Sequence, residues 1–452
     1  MEQHTRKPAG HSTVGRREFL RVTGAAAAGL AVGPFVLRRA GAGDAFSWRR
    51  FAGQSIFVQF IKHPWSDTLE KMLPDFEKLT GIKVEFAELP EIQARQKVAI
   101  EFTGGAAGID VWDTGLHVEK RRFTRAGWYT DLGRFLSDPT MTAPDYDWSD
   151  IAPSARQVAT QPDGKVLALP FSMDACMLFY RKDLFNQHGL KPPKTLAEME
   201  DAAQKLHSPP ALYGFVGRGL KNANVPYWDW LLFSFGGNFL TRDGRASVDT
   251  PEAVRALTWY AGMLQRFAPP GVVNFNWYEC SAAFMQSQVA MYYDSSLFSR
   301  QLEDREKSKV AGRVGYAPLP AGPAGRFSVG AVDGLAISSQ SKHPGPAYFF
   351  AQWATAKGAA LAAHLAGVPS TRLSVWAHPD VRAKSSMPLD WADAYVESLK
   401  VWRLSLPEIT AVTEYRDIVG LAIQKAIEGA KPTEVLAQAQ KEFQELLDKT
   451  EK

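Results

Sequence analysis

The order of predicted strands and helices near the start of the chain constrains its fold more than any other feature. Ser55–Ile61 is an apolar run typical of a buried strand, and residues 82–86 alternate apolar and polar side chains as a second strand. Between them, apolar residues from Trp65 to Leu79 recur at spacings of three and four, which predicts an amphipathic helix. A further helix over Glu91–Phe102 leads to a short third strand at Ile109–Trp112. This alternation predicts parallel strands joined by helical crossovers, which is an α/β fold.

Similar signals continue along the chain. Thr195 and Thr250 are predicted to cap helices, and the sequence is almost entirely helical in pattern from Pro344 onward. The later predicted strands are Val166–Tyr180, Val289–Tyr293, Val314–Ala317 and Gly334–Ser338. Because roughly 400 residues exceed what one hydrophobic core usually serves, two lobes are expected.

The first 45 residues predict where the protein works. Arg16-Arg17-Glu18-Phe19-Leu20-Arg21 precedes an apolar run, rich in Ala and Gly, from Val22 to Leu37. This composition is typical of a twin-arginine export signal, and the run is shorter than the roughly 20 residues that span a bilayer. Residues 1–45 are therefore predicted to be a signal peptide of a periplasmic protein. A retained N-terminal anchor is the alternative.

Charge and cysteine content exclude some function classes and leave others open. The first 45 residues carry the whole net charge of +4, so the remainder is neutral and does not indicate nucleic-acid binding. Cys176 and Cys280 could form a disulfide in an oxidising compartment, or could be two buried thiols. The sequence does not decide between these alternatives.

The usual catalytic and cofactor signatures are missing. No nucleophile elbow, zinc-protease motif, phosphate-binding loop, dinucleotide fingerprint or CxxC pair is found, and the nine histidines lack the spacing of metal ligands. We therefore expect a protein that is not an enzyme and uses neither a cofactor nor a metal. A glycosidase stays open as an alternative, because it needs only two carboxylates, such as Asp113 and Asp174.

Aromatic and polar side chains cluster where predicted strands run into loops. In open α/β sheets ligands bind beyond the carboxyl ends of strands, and aromatic faces beside carboxylates suit a molecule rich in hydroxyl groups. Core packing is the alternative for each tryptophan. Arg218, between two glycines, is expected in an exposed turn, and contact with the ligand is the alternative. The candidate ligand-binding residues from these clusters are Trp65, Trp112, Asp113, Asp174, Trp228, Trp230, Trp277, Tyr278 and Asp294.

A set of short motifs, in order along the chain, resembles the sugar-binding, maltose-binding-protein-like family of extracellular solute-binding proteins of ABC importers. Each motif alone is a weak signal, but the matches follow the family order from Phe76 to Arg372. They include FEKLTGIKVE at 76–85, GIDVWD at 108–113, AGWYTDL at 126–132, LFYRKDLF at 178–185, GLKPPKT at 189–195 and GLAIS at 334–338.

The resemblance implies a type II periplasmic-binding-protein fold, with two α/β lobes joined by three crossing segments and a ligand cleft between them. The N-terminal lobe is expected to comprise residues 46–168 plus 330–375, and the C-terminal lobe residues 169–329 plus 376–452. The crossings are expected near Ala168–Phe171, near Phe327–Val332 and after the segment from Pro369 to Trp376.

The resemblance also places individual residues at the cleft. Asp113, Asp174 and Asp294 occupy positions where the family presents polar groups to ligand, and Arg372 lies in a segment that often meets the cleft rim. Many relatives carry an aromatic residue where this chain has Asp333. This departure favours a monosaccharide, disaccharide or polyol over a long oligosaccharide.

The function implied is the substrate-binding component of an ABC importer. The expected partners are a sugar or polyol, a membrane permease and its cytoplasmic ATPase, and the protein is expected to be a monomer that binds no nucleic acid. The alternatives are a binder of a polyamine or phosphate ester, a chemosensory or adhesive role, and a secreted glycan-cleaving enzyme.

Overall fold

The computed structural model of the chain describes residues 45–451, apart from residues 107 and 386. The predicted export signal lies outside these residues, except for its last position. Among the helices of the described part, none combines the length and apolar character that a membrane span requires.

The described part contains ten strands and eighteen α-helices, numbered here in chain order. The strands are β1 Ser55–Ile61, β2 Lys83–Leu89, β3 Val111–Gly115, β4 Leu169–Met173, β5 Cys176–Arg181, β6 Met291–Ser295, β7 Val314–Pro318, β8 Ser328–Gly330, β9 Val332–Ile337 and β10 Trp402–Leu404. The helices are α1 Pro64–Thr80, α2 Glu91–Thr103, α3 Leu116–Arg125, α4 Gly133–Leu136, α5 Pro153–Ala159, α6 Lys182–Gln187, α7 Leu196–Leu206, α8 Val225–Ser234, α9 Pro251–Phe267, α10 Trp277–Met285, α11 Ser299–Leu302, α12 Pro344–Ala354, α13 Lys357–Leu365, α14 Leu373–Trp376, α15 Pro379–Lys384, α16 Leu389–Leu399, α17 Val412–Ile427 and α18 Pro432–Thr450.

The first lobe is built on a five-stranded sheet of order β2-β1-β3-β9-β4. Strand β1 runs parallel to both β2 and β3, which confirms the alternation predicted for this part of the chain. Strand β9 returns antiparallel between β3 and β4. Apolar side chains of β1 and of helices α1 and α12 pack on one face of the sheet, and those of α3 and α5 contribute to a second cluster.

The second lobe is built on a three-stranded antiparallel sheet of order β6-β5-β7. The predicted caps are confirmed here, because the Thr195 side chain accepts the amide of Glu198 and the Thr250 side chain accepts that of Ala253. Helices α7, α8, α9, α17 and α18 bury their apolar faces in the large core around this sheet.

The chain passes between the two sheets three times. Strand β4 belongs to the first sheet and β5 to the second, so the first passage lies at Asp174 and Ala175. This is a few residues after the predicted position, because residues 169–171 are still paired or packed with β9 of the first sheet. The second passage lies at Ala331, between β8 and β9, inside the predicted range.

The third passage follows the bridges that Ser370 makes with Ser172 and that Arg372 makes with Ile151. Beyond them α16 packs against β7 and β5 of the second sheet. The passage therefore lies between residues 372 and 389, where the sequence predicts it.

The two cysteines are buried free thiols, Cys176 in β5 and Cys280 in α10. Burial raises the pKa of both thiols well above the ordinary value. Of the two alternatives that the sequence leaves open, the structure shows the buried thiols.

We predict that Gly330→Ala destabilises the fold at the second passage. A Cβ there would lie 2.1 Å from the backbone oxygen of Asp174 and 2.6 Å from Nε1 of Trp402, so the first and second passages would have to separate. Overpacking of this kind costs about 1–3 kcal/mol, which denaturant unfolding measures. Gly358→Ala is the control, since a Cβ in that helix meets nothing within 4 Å and should be neutral or stabilising. Equal effects of the two substitutions would contradict the prediction.

Candidate functional site

A cavity of about 150 Å³ lies between the two lobes, at the strand ends of both sheets. Side chains from the first lobe, the second lobe and the first passage line it. Its polar and aromatic lining residues are Lys62, His63, Glu91, Arg95, Asp113, His117, Asp174, Arg218, Tyr227, Trp277, Tyr278, Ser295, Phe298, Asp333, Ser405 and Arg416.

Asp113 of β3 presents an open hydrogen-bond acceptor to this cavity. The amide of Trp65 donates to Nδ1 of His63 over 3.1 Å, so the ring proton of His63 is on Nε2. That nitrogen donates to Oδ2 of Asp113 over 3.2 Å. The other oxygen, Oδ1, is buried and has no hydrogen-bond partner within the described part of the chain. A buried carboxylate oxygen of this kind favours a ligand that brings a donor to it.

Arg95 of α2 is held beside the cavity by two carboxylates. Its NH1 lies 2.7 Å from Oε1 of Glu119, and its Nε donates to Oε1 of Glu91 over 3.2 Å. Burial alone would raise the pKa of Glu91, but the Arg95 and Arg416 guanidinium groups outweigh it and lower that pKa to about 2. The charge of Arg95 is therefore already matched by protein groups.

His117 at the start of α3 is neutral at physiological pH. Burial, together with the Arg95 and Arg416 guanidinium groups, lowers the pKa of His117 to about 3. Burial also lowers the pKa of Arg416 to about 10, although the nearby Glu91 opposes the change. The neutral imidazole can offer the cavity either a donor or an acceptor.

Asp333 and Asp174 add two more carboxyl groups. Asp333 faces Gly115 across the β3–β9 ladder, and burial together with the Asp113 and Asp174 carboxylates raises its pKa well above the ordinary value. Burial also raises the pKa of Asp174, although its Oδ2 accepts from the Tyr227 hydroxyl over 2.9 Å. Together with Asp113 and Glu91, four carboxyl groups thus line one small cavity.

A buried ion pair supports the wall of the second lobe. Arg218 donates through Nε to Oδ2 of Asp294 over 2.8 Å, and through NH2 to the other oxygen of the same carboxylate. Asp294 also accepts from the Tyr292 hydroxyl over 2.7 Å and from the Ser295 amide over 2.7 Å. The guanidinium of Arg218 lies 4.1 Å from the ring centroid of Tyr227, in cation–π contact.

Aromatic rings at the start of α10 cover the open side of this wall. Asn276 caps the helix by accepting the amide of Trp277, which places both Trp277 and Tyr278 at the cavity. The ring of Trp277 stacks on Phe298, with centroids 4.2 Å apart and planes 7° apart. Tyr278 is 54% exposed, so its ring is accessible to a ligand.

The structure brings together part of the set of residues predicted from the sequence. Asp113, Asp174, Trp277, Tyr278 and Asp333 all line the cavity. Asp294 lies behind the wall, where it holds Arg218 in place. Whether the five lining residues bind ligand stays a prediction.

Two of the predicted tryptophans belong to the core of the first lobe instead. Trp65 is buried, and its ring stacks on Phe171 with centroids 3.9 Å apart. Trp112 precedes Asp113 in β3, and successive side chains of a strand point to opposite faces. Because Asp113 faces the cavity, Trp112 packs on the other face of the sheet, where it stacks with Tyr129.

Trp228, Trp230 and Arg372 are likewise structural. The two tryptophans lie in α8, whose ten residues are all buried. The sequence predicted a loop here, but Pro226 lies in the first turn of this helix. Arg372 is fully buried, and it donates to the carbonyl of Thr355 over 2.6 Å and to Oδ2 of Asp150 over 3.2 Å. It therefore holds the chain at the third passage and does not reach the cavity.

The sequence analysis wrongly placed Arg218 in an exposed turn. A Cβ at Gly219 would lie 2.1 Å from the carbonyl oxygen of Val272, so this glycine permits close backbone packing in the interior. Other lining residues gave no usable signal, because they lie in ordinary helix sequences far apart in the chain. They are Glu91, Arg95, His117 and Arg416. His63 and Tyr227 lie within two residues of the predicted Trp65 and Trp228, but no pattern distinguished them from their neighbours.

Comparison with known proteins identifies the family. The sequence model of the bacterial extracellular solute-binding proteins matches residues 63–361, more than half of the chain. The chain belongs to this family, whose members are exported proteins that bind solutes.

Two curated relatives are similar over most of their length. The erythritol/L-threitol-binding protein of Mycolicibacterium smegmatis is 26% identical over 381 residues, which are 78% of this chain and 79% of the relative. The mannitol-binding protein of Pseudomonas aeruginosa is 28% identical over 350 residues, which are 74% of this chain and 75% of the relative.

Solved structures show the same architecture. An ABC transporter solute-binding protein from Agrobacterium radiobacter K84, in complex with ribitol, superposes with a TM-score of 0.79 at 28% identity, covering 87% of this chain and 99% of that one. Maltose-bound MalE3 of T. maritima superposes with a TM-score of 0.77 at 23% identity, covering 87% and 100%. The predicted type II periplasmic-binding-protein fold is confirmed.

We predict that Asp294→Ala strongly destabilises the protein. It leaves the Arg218 guanidinium buried without its counter-charge, and breaking a buried pair in this way costs about 3–5 kcal/mol. Glu252→Ala is the control, because it breaks a solvent-screened surface pair with Arg255 and should change stability little. Chemical denaturation measures both, and similar losses would show that the buried pair is no more important than the surface pair.

We predict that Asp333→Asn stabilises the protein increasingly as pH rises. The raised pKa means that the folded chain holds this proton more tightly than the unfolded chain does. The stability contributed by Asp333 is full below its unfolded pKa of 3.8 and is lost as pH rises towards the folded pKa. Asparagine stays neutral, so the melting temperature of the variant, relative to that of the wild type, should rise as pH increases above about 4.

Asp145→Asn, in an exposed loop, is the control for this measurement and should follow the wild type. If the two melting curves of wild type and Asp333→Asn shift in parallel with pH, Asp333 is not a strained carboxyl group.

Proposed function

We propose that this protein captures a polyol or a small monosaccharide outside the cytoplasm and delivers it unchanged to the membrane permease of an ABC importer. The observation that carries the proposal is the convergence of the Asp113, Asp174 and Asp333 carboxyl groups on one small cavity between two lobes. Carboxylates of this kind accept hydrogen bonds from several hydroxyl groups at once.

The size of the cavity supports a short ligand. A buried cavity of about 150 Å³ in another protein holds one benzene molecule, so a molecule of a few carbon atoms fits here and an oligosaccharide does not. The placement of Asp333 at the cavity supports the same choice, since a carboxyl group replaces the stacking ring of many relatives. The relatives that bind erythritol, L-threitol, mannitol and ribitol have ligands of this class.

Each group at the site has a role in this proposal. Oδ1 of Asp113 accepts a ligand hydroxyl, and Asp174 and Asp333 bind neighbouring hydroxyls. The faces of Trp277 and Tyr278 cover the C–H side of the carbon chain. Asp294 acts through Arg218, which it positions at the cavity wall.

The charges of the site favour a neutral ligand over a phosphate ester or a polyamine. Arg95 is paired with Glu119 and Glu91, and Arg218 is paired with Asp294, so two of the three guanidinium groups at the cavity already have acidic partners; the third, that of Arg416, donates to the carbonyl of Asn222. Burial and the neighbouring Asp113 and Asp174 carboxylates raise the pKa of Asp333, which disfavours the accumulation of negative charge that a polyamine would require. A hydroxyl-rich molecule uses both the charged and the protonated carboxyl groups.

The export route, the lobe boundaries and the partners belong to the same proposal. Residues 1–45 direct export to the periplasm by the twin-arginine pathway, and the mature monomer comprises two lobes joined by the passages at residues 174–175, at Ala331 and between residues 372 and 389. Closure of the lobes about the three passages encloses the ligand, and the permease and its cytoplasmic ATPase then take it up. The protein binds and releases ligand without catalysis.

We predict that titration calorimetry detects one-to-one binding of ribitol, mannitol or erythritol, and that Asp113→Ala weakens it. Loss of a hydrogen bond to a charged group costs about 1.5–3 kcal/mol, which is a loss of roughly 10- to 100-fold in affinity. Asp145→Ala, an exposed acidic residue outside the cavity, should keep the wild-type affinity.

The same titrations with spermidine and glycerol phosphate distinguish the alternatives. Binding of either, with no response to any polyol or monosaccharide, would overturn the ligand class. Binding of polyol with equal affinity in Asp113→Ala would overturn the assignment of the site.

A further inference from the structure

A second cavity, of about 500 Å³, lies among helices α13, α14, α15 and α16. It shares no lining residue with the cavity between the lobes. Helix α13 packs against α1 and α12 of the first lobe, whereas α16 packs against β5 and β7 of the second. Its lining residues are His364, Trp376, Ala377, His378, Pro379, Val381, Ser385, Met387, Pro388, Leu389, Trp391, Ala392, Asp393 and Val396.

Stacked aromatic rings form one wall of this second cavity. Trp376 and Trp391 both line it, with ring centroids 6.0 Å apart and planes 23° apart. Tyr395 supports them from behind, since its ring lies 4.8 Å from that of Trp376 and nearly parallel to it. Flat, fixed rings of this kind offer a planar ligand a surface on which to stack.

Buried polar atoms without partners accompany these rings. His364 is fully buried and lines the cavity, yet neither of its ring nitrogens has a hydrogen-bond partner within the described part of the chain. The backbone of Val368 lies near the ring and raises the pKa of His364, as an accepting carbonyl does. Nε1 of Trp391, also buried, likewise lacks an acceptor among the described residues. Unpartnered buried polar groups favour a ligand that supplies hydrogen bonds.

The charge of the lining favours an uncharged ligand. Burial lowers the pKa of His364 to about 4, so its imidazole is neutral at pH 7 and offers one donor and one acceptor. Asp393 is acidic and disfavours an anion. Exposed apolar side chains stand at the mouth, because Leu389 is 60% exposed and Val396 is 44% exposed. Such residues admit an apolar molecule from solvent.

We propose that this second cavity is a binding site for a small, uncharged aromatic molecule that carries a hydrogen-bonding group. Its volume lies within the roughly 300–1,000 Å³ of ligand pockets, which are typically lined by apolar and aromatic side chains with a few polar groups. The ring of the ligand packs against Trp376, the partly exposed member of the stack, and its polar group bonds to the imidazole of His364. The site is independent of the solute that the first cavity holds.

The test uses indole as the probe and the methionine methyl groups as reporters. Met387 lines the second cavity, whereas Met141 and Met263 lie in the cores of the first and second lobes. In full-length mature protein labelled with carbon-13 at the methionine methyls, indole should shift the Met387 signal saturably through its ring current. The Met141 and Met263 signals should stay in place.

A filling substitution and its control complete the experiment. Ala392→Phe places a ring inside the cavity and should abolish saturable binding of indole in calorimetry, whereas Ala362→Phe, on α13 outside the lining, should leave it unchanged. The Met387 signal of the wild type decides the outcome if Ala392→Phe fails to fold. An unmoved Met387 methyl, a uniform shift of all three methyls, or wild-type affinity in folded Ala392→Phe would overturn the proposal.

Discussion

The carboxylate of Asp174 joins the parts of the molecule on which the site depends. It stands at the first passage between the lobes and accepts the hydroxyl of Tyr227 over 2.9 Å, the hydroxyl of Ser295 and the backbone amide of Ala331. One acidic group thus connects a helix and a strand of the second lobe to the second passage. Because its pKa is raised by burial, its hydrogen bonds offset a desolvation cost that an apolar residue would not carry. These hydrogen bonds fix the position of Asp174, near which the other carboxyl groups of the cavity lie.

The site pairs two of its arginines with acidic side chains of the protein and leaves one carboxylate oxygen open to the ligand. Arg95 and Arg218 each have acidic partners, whereas Oδ1 of Asp113 has none within the described residues. Buried donors and acceptors that lack partners carry a cost until a ligand binds. Specificity for hydroxyl-rich molecules follows, because a ligand without hydroxyls leaves those acceptors unsatisfied.

Short sequence patterns predict those parts of the fold whose conformation depends on a single type of residue. The bounds of β1 and the caps at Thr195 and Thr250 are found as predicted, since these signals are short in range. Whether a tryptophan packs in the core or reaches the cavity depends instead on which face of its strand or helix it occupies. Trp112 and Asp113 are adjacent in sequence, yet they point to opposite sides of one strand. Arg95 and Arg416 both line the cavity although they are more than 300 residues apart in the chain, and nothing in a single sequence indicates that they come together.

The buried free thiols bear on the compartment in which the chain can fold. Cys176 and Cys280 are the two cysteines of the sequence, and neither is cross-linked. Raised pKa values keep both sulfurs in the unreactive thiol form. No oxidant is needed to complete the fold, so the polypeptide reaches the same native state in a reducing compartment as in an oxidising one. The cysteines therefore allow the chain to complete its folding on either side of the membrane that it crosses.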